Sequence, residues 1–325
     1  MQFSLNINIP ALEQPITHHH RILLTGSCFT EHISERLSLH KFRNLSNPHG
    51  ILFNPLSVCT SLESYINGKI YTREELFYLN ELWNSWDHHT RFSDIEPGGA
   101  LQKINTSQQE AAGFIREADW IIITLGSAFQ YYLVDGDRPV ANNHRAPAQW
   151  FRKKLLPISV ITDALSATIS KIRSRNPKVR FLFTVSPVRH IRDGVVDNNR
   201  SKARLLEAVH SVCESNPGAA IYFPAYELVI DILRDYRFYD IDFVHPNYMA
   251  TEFVWEHFMN ACLAPATRQL LPKLADIHTA RSHKPRFPGT ESHRKFMNSY
   301  REKVLSLQQE HPELDLSADL AYFSV

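Results

Sequence analysis

The chain has 325 residues and a formal charge of +1, from 35 basic and 34 acidic side chains. This balance gives no reason to expect a nucleic-acid partner or binding to an anionic membrane surface. The 43% hydrophobic content is typical of a globular protein with ample material for a core. No apolar stretch approaches the roughly 20 residues that a membrane-spanning helix requires.

The N-terminus and the cysteines give the expected compartment. The first residues, MQFSLNINIPALEQP, lack the basic start and apolar run of a signal peptide. The cysteines at positions 28, 59, 213 and 262 include no CxxC pair, which argues against a disulfide framework and a zinc ribbon. We therefore expect a cytoplasmic protein with reduced thiols. No carboxylate or cysteine stands at ligand spacing beside the histidine clusters at 18–20 and 88–89, so neither a metal nor a cofactor is predicted.

Strand-like and helix-like segments alternate along the chain. Short apolar runs predict buried strands at 21–25, 120–124, 179–185 and 219–224, with a weaker candidate at 41–45. Apolar residues at helical spacing predict helices at 31–40, 161–175, 201–213 and 248–263. This alternation predicts an α/β fold with a parallel sheet of about five strands, covered by helices on both faces.

Two regions do not follow the alternation. Residues from about 60 to 115 are rich in aromatic and turn residues and are interpreted as an insertion or cap over one sheet edge. Within it, Trp83, Trp86, His88 and His89 either contact a sugar ring or an acyl chain, or form the small core of the insertion. After residue 265 the sequence predicts a helical, loosely packed extension. The expected domains are therefore 1–265 and 266–325.

The stretch ILLTGSCFTEH at 22–32 places Ser27 and Cys28 where the first strand ends and a helix begins. Ligands of open parallel sheets bind outside the carboxyl ends of the strands. A helix N-terminus there favours a thiolate or an oxyanion. In the alternative interpretation, Ser27 only caps the helix and Cys28 is a small buried apolar residue.

A second candidate stretch, YDIDFVHPN, holds Asp242 and His245 at D-x-x-H spacing just before a predicted helix. At this spacing the carboxylate can accept a proton from one imidazole nitrogen, which leaves the other nitrogen free to act as a base. The spacing alone is common. Combined with an alcohol or thiol at the end of the first strand, it is typical of a hydrolase.

These stretches resemble the GSCFA family, which is placed with the SGNH (GDSL-like) hydrolases. The resemblance covers most of residues 20–262, through GSCF at 26–29, GILFNPLS at 50–57, ITLGSAFQYY at 123–132, TVSPVRHIRDG at 184–194, NNRSK at 198–202 and LRDYRFYDIDFVHPN at 233–247. It implies a three-layer, flavodoxin-like α/β/α fold.

The resemblance also implies roles for individual residues. Aligned with Gly-Asp-Ser, Cys28 takes the nucleophile position and Ser27 the Asp position, whereas a one-residue shift makes Ser27 the nucleophile. Asp242 and His245 match the closing block without a shift. Gly50 is the counterpart of the glycine whose N–H helps to form the oxyanion hole.

The third block of the superfamily supplies an asparagine donor that is absent here, because the strand ends in Gly126 and Ser127. Ser127 or Asn54 is the expected replacement, since a missing oxyanion donor costs about 3 kcal/mol of transition-state stabilisation.

Further candidate contacts lie on the same rim of the sheet. Arg189 and His190 are predicted to bind an anionic group, or to form a salt bridge with Asp193 or a neighbouring loop. His89 is a candidate substrate contact. Asn198, Asn199 and Lys202 either contact the substrate or act as a loop lock and helix cap.

The sequence thus predicts an acyl-ester or thioester hydrolase or acyltransferase with a Cys (or Ser)-His-Asp arrangement, acting on a small-molecule or O-acylated carbohydrate substrate. The alternative is a noncatalytic module that binds a small molecule or glycan on the same fold. The missing asparagine of the third block and the change of Gly-Asp-Ser to Gly-Ser-Cys in the first block favour the noncatalytic module. The presence of Asp242 and His245 counts against it.

Overall fold

The computed structural model describes residues 5–324. Its strands are β1 Arg21–Gly26, β2 Arg43–Ser46, β3 Leu76–Leu79, β4 Leu82–Ser85, β5 Trp120–Leu125, β6 Phe129–Leu133, β7 Pro139–Val140, β8 Phe151–Leu155, β9 Arg180–Val185 and β10 Ala220–Tyr222. Its α-helices are α1 Cys28–Leu39, α2 Pro55–Asn67, α3 Pro97–Glu117, α4 Ile158–Arg175, α5 Val195–Ser215, α6 Ala225–Glu227, α7 Tyr248–Cys262, α8 Pro265–Ser282, α9 Glu291–Glu310 and α10 Ser317–Phe323.

The core is a five-stranded parallel sheet in the order β10-β9-β5-β1-β2. All five strands predicted from the sequence belong to it, so the predicted α/β fold with a parallel sheet is confirmed. The central strand β5 is buried at all six positions, which agrees with its continuous apolar sequence WIIITL.

Alternate residues of the strands face two separate apolar layers. Leu23 and Ile121 pack in a cluster with residues of α2, α3, α4 and α5. Ile22 and Ile122 pack on the opposite face with residues of α1 and α7. This period-2 alternation produces three layers, with the helices on both faces of the sheet.

Two parts of the fold were not predicted from the sequence. Helices α2 and α3 lie largely within the expected insertion, yet Leu62 and Ile115 are fully buried against the sheet. Between these helices lies the antiparallel β3–β4 hairpin. A separate antiparallel sheet, in the order β7-β6-β8, follows β5 and precedes α4.

The C-terminal helices α8, α9 and α10 share an apolar cluster of their own, in which Leu274 and Val304 are fully buried. The expectation of a loosely packed extension was therefore wrong. Asp319 of α10 is buried and forms ion pairs with Lys41 and Arg281. None of the helices within residues 5–324 has both the length and the apolar character needed to span a bilayer.

Candidate active site

The turn from β1 to α1 depends on a glycine. Gly26 has φ +147°, and a Cβ at this position would lie 2.2 Å from the Thr124 carbonyl oxygen of β5. Only glycine allows the two strands to approach this closely. Asn47, which follows β2, accepts a hydrogen bond from the Gly26 N–H at 2.9 Å. The first turn of α1 is thereby fixed at the carboxyl edge of the sheet.

Ser27 and Cys28 have different positions in this turn. Ser27 is the N-cap of α1, and its Oγ accepts a hydrogen bond from the Phe29 N–H at 3.3 Å. Cys28 is the first residue of the helix and is half-buried. The N-cap role considered for Ser27 is therefore present, while the thiol of Cys28 remains at the helix N-terminus.

Opposing effects act on the thiol of Cys28. Burial raises its pKa, and the carboxylate of Glu31 raises it further. The backbone N–H groups of Phe29 and Cys28 and the charge of Lys202 act in the opposite direction but do not cancel the rise. At neutral pH the resting cysteine is therefore mainly a thiol.

Asp242 and His245 form a hydrogen-bonded pair. The His245 Nδ1 lies 2.6 Å from the Asp242 Oδ2, and Asp242 Oδ1 accepts hydrogen bonds from the N–H groups of Val244 and His245. The His245 N–H, the His245 side chain and the Val244 N–H lower the Asp242 pKa to about 2. The pair leaves the His245 Nε2 available for a proton, although both side chains are about half exposed.

One cavity of about 630 Å³ brings most of the predicted site residues together. It lies at the carboxyl end of the sheet, where the turns after β1, β5 and β9 meet the loop that carries His245. The predicted residues that line it are Ser27, Cys28, Asn54, Ser127, Arg189, His190, Asp242 and His245. Within the described residues, the Cys28 thiol and the His245 imidazole form no hydrogen bond with each other.

Gly50 and His89 lie outside this lining. The Gly50 N–H donates to the Asn47 carbonyl at 2.7 Å, so it is not directed at a substrate carbonyl, and the predicted oxyanion role is not supported. His89 packs against Gly50, and its Nδ1 accepts a hydrogen bond from the Arg91 N–H. His89 therefore caps a short 3-10 turn and does not line the cavity.

The turn after β5 also uses its backbone donors internally. The N–H groups of Gly126 and Ser127 both donate to the Phe53 carbonyl, at 2.7 and 3.0 Å. The Ser127 Oγ accepts a hydrogen bond from the Phe129 N–H. Asn54 caps α2 through Oδ1, while its Nδ2 donates one hydrogen bond to the Ser57 Oγ. Asn54 lines the cavity, and the second N–H of its amide is the side-chain donor that best fits the oxyanion role of the asparagine missing from the third block.

Arg189 and His190 are held by neighbouring loops. The Arg189 guanidinium lies 4.4 Å from the centre of the Tyr239 ring and donates to the Phe243 carbonyl at 3.4 Å. The His190 ring lies 5.2 Å from that of Phe53. The side chain of Asp193, considered as a partner of Arg189 or His190, lies outside the described residues.

Asn198 and Lys202 connect α5 to the strand ends. The Asn198 Oδ1 accepts a hydrogen bond from the His190 N–H at 2.9 Å, which is the loop-lock role considered for it. Lys202 is almost completely buried, and its Nζ donates to the carbonyls of Gly126 and Ser186 at 2.7 and 2.6 Å. The helix cap is Gly194 rather than either asparagine.

One wall of the cavity was missed by the sequence interpretation. The cavity is also lined by Phe129 and Tyr131 of β6 and by Asn142 and Asn143 after β7. The stretch FQYYL mixes aromatic and polar residues without a clear period, so it gave no strand signal. Its aromatic content was the only clue to this wall.

The aromatic residues of the expected insertion pack in apolar clusters and do not line the cavity. Trp86 is buried, with its ring 3.5 Å from that of Phe77, and Trp83 packs in a small apolar cluster. His88 is stacked on His49 at 4.0 Å. Within residues 5–324, no cluster of three or more His, Cys, Asp or Glu side chains is suited to hold a metal ion.

Two family models match the sequence. The model of the GSCFA family matches residues 21–258, a range that includes the whole central sheet. The model described as "GSCFA domain protein, C-terminal domain" matches residues 274–324. No curated protein matches the chain.

Solved structures with some similarity include an acetyl xylan esterase from the rumen bacterium Butyrivibrio proteoclasticus. It is 9% identical with a TM-score of 0.36, and the match covers 82% of this chain and 66% of the esterase, just under two thirds. The periplasmic domain of a lipopolysaccharide acetyltransferase from Salmonella ser. Paratyphi A is 12% identical with a TM-score of 0.32, over 77% of this chain and 85% of that domain.

Proposed function

Because this chain belongs to the GSCFA family, and because its Cys28, His245 and Asp242 line one cavity, we propose that it catalyses acyl transfer from an ester or thioester. The observation that carries the proposal is the placement of a helix-N-terminal thiol and a hydrogen-bonded Asp–His pair on the same cavity. The acyl group passes to water in a hydrolase and to a second alcohol in a transferase.

Cys28 is the proposed nucleophile. Its Sγ attacks the substrate carbonyl carbon while the His245 Nε2 takes the thiol proton. The tetrahedral intermediate collapses, the bond to the leaving alcohol or thiol breaks, and His245 returns the proton to that group. Asp242 holds the imidazole in the tautomer that this sequence requires. Ser27 is the weaker candidate, because its Oγ already accepts the helix-capping hydrogen bond.

The oxyanion donors proposed here differ from those expected from the sequence. The Cys28 N–H is one of the first N–H groups of α1 and has no partner within the helix. The free N–H of the Asn54 amide is the second proposed donor. Each donor of this kind contributes about 3 kcal/mol to transition-state stabilisation.

The proposed substrate is an acyl ester of a small molecule or carbohydrate. The cavity volume of about 630 Å³ is in the range of small-ligand sites. The rings of Phe129 and Tyr131 and the amides of Asn142 and Asn143 offer stacking surfaces and hydrogen bonds to a hydroxylated ring. These lining residues support the carbohydrate alternative within the proposal.

A noncatalytic binding module is the second candidate function. It is favoured by the internal use of the Gly50, Gly126 and Ser127 N–H groups. It is also favoured by the lack of a hydrogen bond between Cys28 and His245 in the described residues. Hydrogen bonds between catalytic groups often form only with substrate present, so this geometry does not exclude catalysis.

The decisive experiment measures turnover of p-nitrophenyl acetate and of an acetyl thioester by wild type, Ser27→Ala, Cys28→Ala and His245→Ala. We expect Cys28→Ala and His245→Ala to lose activity and Ser27→Ala to retain it. Cys213→Ala, which removes another half-buried thiol, is the matched control. Loss in Ser27→Ala with activity retained in Cys28→Ala would make Ser27 the nucleophile, and no turnover by folded wild type would favour the binding module.

A further inference from the structure

The cavity at the carboxyl edge of the sheet is lined by more cations than anions. Lys153 of β8, Arg189 in the turn after β9 and Arg192 in the following 3-10 turn all lie on its wall. Among the described side chains of the wall, Asp242 is the one carboxylate. It accepts hydrogen bonds from the imidazole and the backbone of His245, so its charge is already used by that pair. The described wall therefore has an excess of positive charge.

Arg189 is held at a defined place on this wall. Its backbone N–H donates to the Val244 carbonyl at 3.3 Å, and its Nη1 donates to the Phe243 carbonyl at 3.4 Å. The guanidinium lies over the Tyr239 ring, with 4.4 Å between the Arg189 Cζ and the ring centre. These contacts fix the cation beside the loop that carries His245.

Most N–H donors of this guanidinium have no protein acceptor. An arginine side chain carries five N–H donors and no acceptor. Among the described residues, the Phe243 carbonyl is the only hydrogen-bond acceptor of the Arg189 side chain. No ion pair between described side chains includes Arg189 or the exposed Arg192. Because Arg189 lines the cavity, a planar acceptor bound there can use two of the remaining donors at once.

A further cation lies at the aromatic part of the wall. The Lys153 Nζ is 4.1 Å from the centre of the Phe129 ring and 5.4 Å from that of the Tyr131 ring. These are the rings that the proposed function assigns to a sugar. A sugar bound against them therefore lies close to positive charge, which favours one that carries an acidic group.

We propose that the acyl ester bound in this cavity carries an anionic group, a carboxylate or a phosphate, and that Arg189 binds this group through two N–H donors. The exposed Arg192 adds a second positive charge to the same wall. The inference rests on the proposed function in that the ester is the one attacked by Cys28. The guanidinium matches the geometry of both anions, and a cleft lined by charge of one sign concentrates substrates of the opposite sign.

The first test compares two acetyl esters that differ in charge, the anionic 4-acetoxybenzoate and its neutral methyl ester. The measured quantity is the ratio of kcat/KM for the anionic ester to kcat/KM for the neutral one. We expect this ratio to fall about tenfold in Arg189→Gln. A smaller fall is expected in Arg189→Lys, which keeps the charge but loses the two-pronged donor. Arg200→Gln is the matched control and keeps the wild-type ratio, because Arg200 pairs with Asp197 and does not line the cavity.

The ratio separates anion binding from a general disturbance of the site. Because Arg189 also holds the loop of His245, its substitution changes the rates of both esters. That shared change cancels in the ratio. If the ratio in folded Arg189→Gln stays within twofold of wild type, the inference is overturned.

The second test measures binding without chemistry, by ligand-observed NMR titration of wild type and Arg189→Gln. Its probes are glucose, glucuronate and glucose 6-phosphate, which share one ring and differ in the group at C6. We expect wild type to bind at least one anionic sugar about tenfold or more tightly than glucose, and Arg189→Gln to lose this preference. Tighter binding of glucuronate identifies the anion as a carboxylate, and tighter binding of glucose 6-phosphate identifies it as a phosphate. Equal binding of the three sugars, or binding of none, contradicts the inference.

The two proposals fail separately in these tests. Arg189-dependent binding of an anionic sugar by a protein that turns over no ester contradicts the proposed function alone. Turnover that depends on Cys28, with an unchanged ratio in Arg189→Gln, contradicts the anion site alone.

Discussion

His49 and His88 are stacked and buried, and from this we predict that acid lowers the free energy of unfolding of the protein. His49 contacts the hydroxyl groups of Tyr65 and Tyr71, at 2.6 and 3.0 Å, and its ring lies 4.0 Å from that of His88. Burial, together with the charges of Lys69 and Arg91, lowers the pKa of His49 to about 3. The unfolded chain, with an ordinary histidine pKa near 6.5, therefore binds more protons between pH 3 and 6.5.

The magnitude follows from this difference in proton binding. The folded-state pKa lies below the unfolded one, so the contribution of His49 is complete above about pH 6.5 and decreases as the pH falls toward 3. At pH 5 the free energy of unfolding is lower than at pH 8 by about 2 kcal/mol from His49 alone. His88 acts in the same direction, since burial lowers its pKa as well.

The assay is urea unfolding at pH 8 and pH 5 for wild type, His49→Gln and the exposed-histidine control His283→Gln. We expect wild type and the control to lose about 2 kcal/mol more than His49→Gln on acidification. The comparison is made between pH values within each protein, so that a stability change from the substitution itself cancels. An equal pH dependence in all three proteins would refute the reasoning.

Three further predictions concern the site. Asp242→Asn keeps the shape of the Asp–His pair but removes the charge that orients His245. We therefore expect the proposed esterase activity to fall at least about tenfold, with an unchanged melting temperature. Full activity would contradict this role of Asp242. Gly126→Ala places a Cβ 2.8 Å from the Phe53 Cβ, and we expect a loss of about 1–3 kcal/mol in urea unfolding; an unchanged midpoint would contradict the close contact. Gly26→Ala brings a Cβ within 2.2 Å of the β5 backbone, so we expect little folded protein by circular dichroism, and a native spectrum would contradict the steric argument.

The central sheet could be predicted because its strands are locally distinct. The WIIITL and RILLTG segments are continuous apolar runs bounded by polar or turn residues, and both proved to be buried parallel strands. Their order across the sheet depends on contacts between distant residues, which one sequence does not display. The β7-β6-β8 sheet was missed for the opposite reason, because the sequences FRKKL of β8 and FQYYL of β6 lack the regular alternation of apolar and polar residues that predicts a half-buried strand.

The candidate site was predictable where chemistry depends on residue type and chain position. Cys28, Asp242 and His245 were predicted to lie together because each stands at the end of a predicted strand or before a predicted helix and matches a block of the family resemblance. All three line one cavity, while their catalytic roles stay predictions. The oxyanion assignment of Gly50 depended instead on the direction of one N–H group. Asn47 adopts φ +46°, and its carbonyl accepts that hydrogen bond, which no spacing rule could reveal.

The resting state of Cys28 also determines which steps the proposed mechanism must contain. A thiol whose pKa is raised by burial and by Glu31 is not an ion-paired nucleophile before substrate binds. Proton transfer to His245 must therefore accompany the attack. The Asp–His pair is half exposed and lies on a loop after α6, whereas Cys28 lies in the first turn of α1 at the sheet edge, so in the proposed mechanism we expect the hydrogen bond between Cys28 and His245 to form when substrate is bound.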